Sequence, residues 1–336
     1  MSEGKKITWI NTLKAIGIVL VVIGHNDTIF TEYIYSFHMP LFFLLSGITY
    51  NGEKWSGNPG AFVKRKAKGL LKPYFFYAFI LYLIWIPLSL LQGKEITIEI
   101  LLRNLFGIFY SQGGHKYMDW GIPIWFLTCL FLVSIIYYYI NKYNRKSIII
   151  ILVITAILGK LSSYLPVRLP WSLDSALTGI VFYGIGNLFK EKIISYKPNK
   201  KTIAIAIVLI ILGITFSELN GRVDVYGNNF NNIIFYYISS LSSIIVLIFI
   251  AKILPYNNII EFLGINTLPI LVFHIRAIQM IKFIDIKILK LNINYNSILF
   301  GGIIIPIIQI SIIYYGIIIF RKIKTKRFFK INNTLN

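Results

Sequence analysis

The chain holds a single cysteine, Cys129, so no disulfide can close within it. That cysteine lies in an apolar run and reads as a packing residue. Acidic residues are also scarce: 13 Asp and Glu stand against 34 Lys and Arg, a formal net charge of +21. Spread over a polar surface, such an excess would point to nucleic acid. Here the cations cluster in short blocks between apolar runs, the pattern of membrane-protein loops, and no nucleic-acid partner is expected. There is no repeat of fixed period. No cleavable secretory leader is expected either: the first apolar stretch is long, interrupted by Lys14, and lacks a small-residue cleavage site, so it is expected to remain as an anchor. No metal site is expected.

Apolar sequence is what the chain has in excess, with 56% hydrophobic residues and a mean hydropathy of +0.70. A soluble core of 336 residues could not hide so much, and the long apolar runs fit a polytopic membrane protein. Ten spans are expected, at about 9–30, 35–50, 70–91, 122–140, 148–165, 173–189, 202–217, 232–251, 262–283 and 296–320. The fold class is therefore all-α, with about ten transmembrane helices around an intramembrane cavity. Residues 1–330 form one integral-membrane domain and 331–336 a polar tail. The second and sixth spans are short and carry Pro40 and Gly47, or Gly179, Gly184 and Gly186. They are expected to be tilted or broken, as helices lining a protein-enclosed cavity can be.

Orientation follows from the loop charges. With ten spans, the side that holds both termini carries 23 Lys and Arg, among them Lys5, Lys6 and the block Lys64–Lys68, against 8 on the other side. Both termini are accordingly expected in the cytoplasm of a cell whose inner or plasma membrane holds the protein. His25 and His38 then fall near the outer ends of the first two spans, His115 in the longest outer loop and His274 near the middle of the ninth span.

The first span, WINTLKAIGIVLVVIGHNDTIF, contains both Lys14 and His25. Their separation of eleven residues is about three helical turns, which puts both on one face with a rise of roughly 16 Å. Ionisable groups inside a span are costly and point to function. The alternative is a snorkelling lysine and a histidine bonded to a neighbouring helix.

Lys14, ten residues, then His25 resembles the basic-x10-His signature of the membrane acyltransferase-3 family. IYSFHMPLFFLLSGITY (34–50) is similar to the run that follows it in the branch related to fucose 4-O-acetylases. FVKRKAKGLLKPY (62–74), PIWFL (123–127), LDSALTGIVFYGIG (173–186) and EFLGINTLPILVFH (261–274) resemble later family signatures, in the family's order. The basic loop reads Arg65-Lys66-Ala67-Lys68 where Arg-x-x-Arg is usual, which weakens a bidentate phosphate grip.

The resemblance implies an O-acyltransferase that moves an acyl group, usually acetyl from acetyl-CoA, to a sugar hydroxyl of an envelope polysaccharide or lipid-linked glycan. It assigns His25 as the base, an acyl-imidazole intermediate being the variant. Lys14 would bind the donor phosphate or carbonyl, or support a charged intermediate. The block Lys64-Arg65-Lys66-Ala67-Lys68 suits CoA phosphates, with Lys64, Arg65 and Lys68 expected nearest them, or serves only as a topogenic charge block. His38, Asp174 and His274 are candidates for catalytic support, Asp174 by orienting a histidine or by capping its helix, and His274 alongside Arg276. Tyr117, Asp119, Trp120 and Trp125 are candidates for acceptor contact, although Tyr and Trp also gather at any membrane interface. The rival class is a glycan-precursor transporter or flippase, which buried charges and broken helices fit equally.

Overall fold

The computed structural model describes residues 8–26, 28–291 and 293–333, with 324–333 as backbone. Lys5, Lys6 and the last three residues of the expected tail lie outside the described residues. The fold is all-helical: among the described residues the extended pairing is one isolated bridge, Asp224 to Asn229. The longer helices in chain order are α1 (Thr8–Gly24), α2 (Thr31–Ile48), α3 (Pro59–Leu91), α4 (Ile98–Tyr110), α5 (Trp125–Ile140), α6 (Arg145–Ser162), α7 (Leu173–Leu188), α8 (Lys200–Asn220), α9 (Ile233–Ile253), α10 (Asn258–Ile265), α11 (Thr267–Phe283) and α12 (Ile305–Asn333).

Each stretch expected to span is helical over most of its length. Among the described residues six helices are long and apolar enough to cross a bilayer by themselves, and α1 is an apolar helix of 17 residues. The clearest is α8, which is apolar along its length yet mostly unburied. Ile203, Ile207, Val208, Ile211 and Ile214 along it are exposed. A helix that is apolar all round and unburied is one whose solvent is lipid. The chain is a polytopic helical membrane protein.

The chain divides into two compact units, Tyr35–Ile253 and Met1–Ile34 with Leu254–Asn336. In the larger unit α2 and α7 touch backbone to backbone. A β-carbon on Gly47 would lie 1.9 Å from the Tyr183 carbonyl oxygen, and one on Gly186 would lie 2.2 Å from that of Leu44. Small residues are how membrane helices approach so closely. Of the expectation that the second and sixth spans are tilted or broken, the break is not found: both helices run unbroken, and their glycines serve packing. Pro40 is accommodated inside α2 because Ser240 supplies what it lacks. A proline at this place leaves the Ser36 carbonyl without its helical donor, and the Ser240 hydroxyl bonds that carbonyl at 2.5 Å.

Two other irregularities have no counterpart in the sequence reading. The expected outer loop contains α4, capped by Thr97 and pressed at Gly107 against the Tyr117 carbonyl. The ninth span is interrupted at Asn266, between α10 and α11. In the smaller unit α1 packs on α10 through Gly264, where a β-carbon would lie 2.1 Å from the Asn11 carbonyl oxygen. The break itself is braced by Arg321, whose Nη2 donates to Asn266 Oδ1 at 2.7 Å. Single π-turns occur at Ala67–Leu71, Ile284–Leu289 and Phe300–Ile304.

Candidate functional site

His25 directly follows α1, and its backbone N–H still bonds the Val21 carbonyl at 3.2 Å. Its ring Nδ1 lies 2.8 Å from the same oxygen. A carbonyl only accepts, so Nδ1 carries the proton and Nε2 of the neutral ring is the basic nitrogen. His274 on α11 is fully buried and uses Nδ1 in the same way, 2.9 Å from the Leu271 carbonyl and 3.1 Å from that of Ile270. The two rings meet edge to face, 4.8 Å between centroids and 73° between planes. The fold thus brings together two histidines from opposite ends of the chain and gives both the same tautomer.

Lys14 is half-buried on the same helix. Near its start, Thr8, Asn11, Thr12, Tyr256, Asn257 and Glu261 enclose a small polar cleft. His38 is a residue of the larger unit, 4% exposed, with its ring 5.0 Å from that of Tyr35.

The larger unit holds a second chemical feature. Lys54 and Trp55 on the short helix Gly52–Trp55, with Arg65 and Lys66 on α3, line a cavity of about 450 Å³ together with Tyr50 and Phe62. Asn51 and Asn58 cap the two helices, so the basic residues stand on two ordered helical segments. Lys54 Nζ stands 5.5 Å and Arg65 Cζ 5.7 Å from the Trp55 ring, within cation–π range. Lys66 Nζ stands 5.6 Å from the ring of Phe62, which stacks on Tyr138. Of the three cations expected to meet phosphate, Arg65 lines this cavity, whereas Lys64 and Lys68 are exposed and do not. Sequence reasoning misses Lys54 and Trp55, and takes Lys66 only as a member of the basic block and not as a named phosphate contact. The available signal is a Lys-Trp pair a few residues after the second span and a lysine one place along from Arg65.

Asp174 is fully buried on α7, and its carboxylate is taken by both Arg168 Nε and Arg168 Nη2, with backbone N–H donors from Leu169 and Ser175. Among the described residues it orients no histidine, and the cap of α7 carries no side-chain bond; its partner is an arginine six residues upstream. The acceptor candidates divide. Trp120 and Trp125 are 0% and 4% exposed and belong to the core, while Tyr117 is partly exposed and packs near Phe106 and Tyr110. Asp119 accepts from His115 Nδ1 at 2.8 Å and Trp85 Nε1 at 3.1 Å, with Lys94 Nζ at 3.6 Å. Burial works to raise its pKa, but these donors and the lysine charge outweigh burial and hold the carboxyl below its ordinary value.

No characterised protein and no solved structure gives a significant match to the chain. A family model does, that of the acyltransferase domain of acyltransferase 3, over residues 7–320. That stretch contains α1 with Lys14, His25 just after it, the cavity and the histidine pair, and with nearly the whole length matched the chain belongs to the acyltransferase-3 family of membrane acyltransferases.

Proposed function

We propose that this acyltransferase moves an acetyl group from acetyl-CoA to a sugar hydroxyl of an envelope polysaccharide or lipid-linked glycan, with His25 as the general base. The observation that carries the reading is the His25 tautomer. With Nδ1–H committed to the Val21 carbonyl, Nε2 is the nitrogen that takes a proton. A hydroxyl attacking a thioester must shed its proton as the new C–O bond forms, and an imidazole is suited to that exchange near neutral pH. The tetrahedral adduct then collapses, the C–S bond breaks and the thiolate leaves, taking up the proton that the base received. His274, edge-on to His25, limits how the base can turn. Lys14 supplies positive charge for the donor, and the roughly 16 Å rise between it and His25 is comparable to the reach of an extended pantetheine arm.

For the donor's phosphates the cavity of Lys54, Arg65 and Lys66 offers three cations and an aromatic face, a chemistry that suits a nucleotide. The loop charges favour a cytoplasmic side for both termini and this cavity, and an acceptor that arrives from outside. The experiment is transfer of labelled acetyl from acetyl-CoA to the cell's own glycan, by wild type and by His25→Ala with protein level and insertion matched. Transfer by wild type and its loss in the variant are expected. Near-normal transfer by inserted His25→Ala would remove this histidine from the chemistry.

A further inference from the structure

We propose that Gln309 is the positioning residue that sets His25 against His274 through a single buried side-chain amide. The inference rests on the reading of His25 as base and concerns what keeps that base in place. Gln309 lies on α12, fully buried, in a stretch flanked by Pro306, Ile307, Ile308 and Ile310. A bare amide there would be costly. Both of its ends are used, and both are used on the segments that carry the pair. Gln309 Nε2 donates to the backbone carbonyl of His274 at 3.1 Å. Gln309 Oε1 accepts from Nδ2 of Asn26, the residue after His25, at 2.8 Å.

The direction of each bond is fixed by chemistry. The His274 carbonyl can only accept, so the amide nitrogen faces it, and the amide oxygen is left to face a donor. Asn26 is also fully buried, and its Nδ2 reaches a second acceptor, the Gly301 carbonyl, at 3.2 Å. Its Oδ1 has no hydrogen-bond partner among the described residues. The Asn26 side chain is therefore held through its nitrogen, and that nitrogen by Gln309 and Gly301. Gly301 sits in the π-turn Phe300–Ile304 that opens α12. Such single turns often accompany functional sites. One glutamine thus spans from the end of α1 to the middle of α11, the two places where the imidazoles are attached.

The competing reading is that Gln309 is ordinary polar glue between membrane helices. The two are separated in the full-length protein in lipid nanodiscs, with Gln309→Leu and Gln309→Glu compared with wild type. The carboxylic acid that Gln309→Glu introduces, protonated in so buried a place, presents one donor and one acceptor, as the amide does. We expect Gln309→Leu to lower kcat about 10- to 100-fold with KM for acetyl-CoA within about twofold, since small misplacements of a catalytic group cost that much. Gln309→Glu should recover most of the rate. With four histidines in the chain, imidazole ¹⁵N signals can be assigned by single replacement. Those of His25 and His274 should change in Gln309→Leu, and those of His38 and His115 should not. Normal kcat in Gln309→Leu, or equal impairment of both variants with unchanged His25 and His274 signals, would overturn the proposal. If Gln309→Leu does not insert, Asn26→Leu takes its place, with changed His25 signals expected and unchanged ones counting against it. Should wild type itself transfer no acetyl, the functional reading falls, while the ¹⁵N comparison still decides the positioning.

Discussion

The Arg168 guanidinium grips both carboxylate oxygens of Asp174, a residue with no exposed side-chain surface. The same guanidinium donates to the Tyr226 carbonyl at 2.5 Å and to Ser175 Oγ at 3.0 Å, while the Arg168 carbonyl accepts from the Tyr110 hydroxyl at 2.6 Å. One arginine therefore ties together the end of α4, the start of α7 and the turn at 224–229. Removing either charge leaves the other buried and unpaired, a loss of about 3–5 kcal/mol. Thermal unfolding in detergent should show Asp174→Asn and Arg168→Ala strongly destabilised, and the double replacement by apolar residues of similar volume less so. A double variant as unstable as the sum of the singles would show that the pair is not what holds these segments.

His25→Ala should lower the acyl-transfer rate about 10²–10⁴-fold, the usual contribution of a general base. Lys14→Ala should also impair transfer, and Lys14→Arg should keep part of it because the charge stays in place. Initial rates with labelled acetyl-CoA, at matched protein levels, give the comparison. Equal activity of the two Lys14 variants would mean that its charge has no part in the reaction.

Neutralising Lys54, Arg65 and Lys66 should raise KM for acetyl-CoA by at least about tenfold per contact, the worth of a hydrogen bond to a charged group. Turnover at saturating donor should fall much less. Lys64→Gln and Lys68→Gln, outside the cavity, should do little. Equal effects from both sets would return the block to a topogenic role.

Asp119 predicts a pH dependence. Its pKa is depressed below 3.8 in the folded protein. The unfolded state therefore binds its proton first as pH falls, so this carboxylate stabilises the fold above the ordinary carboxylate pKa and the contribution is lost as pH falls through the lower, folded value. Asp119→Asn should lower stability at neutral pH, and the two stability curves should converge only at pH values below about 4. Proteolysis of the segment that begins at Gln92 and ends at Gly121, followed as a function of pH, checks this. Parallel curves throughout would mean that the His115, Trp85 and Lys94 contacts contribute nothing.

Topology can be read with a single cysteine. Cys129 is buried and free, and in a Cys129→Ala background a cysteine replacing exposed Lys64 should be silent to an impermeant reagent applied from outside. One replacing Lys116 should react. Outside labelling of the first would overturn the orientation expected from the loop charges.

The membrane helices are legible in the sequence because runs of about twenty apolar residues have few other uses. Helix α4 is not, since Ile98, Leu102, Phe106 and Phe109 face outward while Asn104, Gly107 and Ile108 pack inward. A short helix whose outward side is apolar and whose inward side carries Asn104 and Gly107 inverts the soluble pattern and reads as loop. Arithmetic of helical phase is what suggests one face for Lys14 and His25, but it does not foresee that α1 ends at Gly24, one residue before His25. The approach of His274 to His25 is not legible, because it depends on where α11 lies after the break at Asn266. Gln309 stands in view as an amide within an apolar run, but its meaning needs the positions of Asn26 and the His274 carbonyl. The cavity cations are confused with their neighbours because a block of lysines and arginines carries no phase mark until the helix start at Pro59 is known.

The π-turn at Ala67–Leu71 has a consequence for aim. A π-turn holds one residue more than the α-turn it replaces, and one residue is about 100° of azimuth. The basic residues of Pro59–Lys66 and the aromatic stretch that begins at Lys72 are therefore out of phase by a little over a quarter circle compared with an uninterrupted helix. Gly69, inside the turn, has open space where a β-carbon would point, so its side of the helix makes no packing demand. Deleting that one residue would restore regular winding and swing Arg65 and Lys66 around the axis relative to the lipid-facing part of α3. A single extra residue acts here as an angular setting between a cation-lined cavity and the span that carries it.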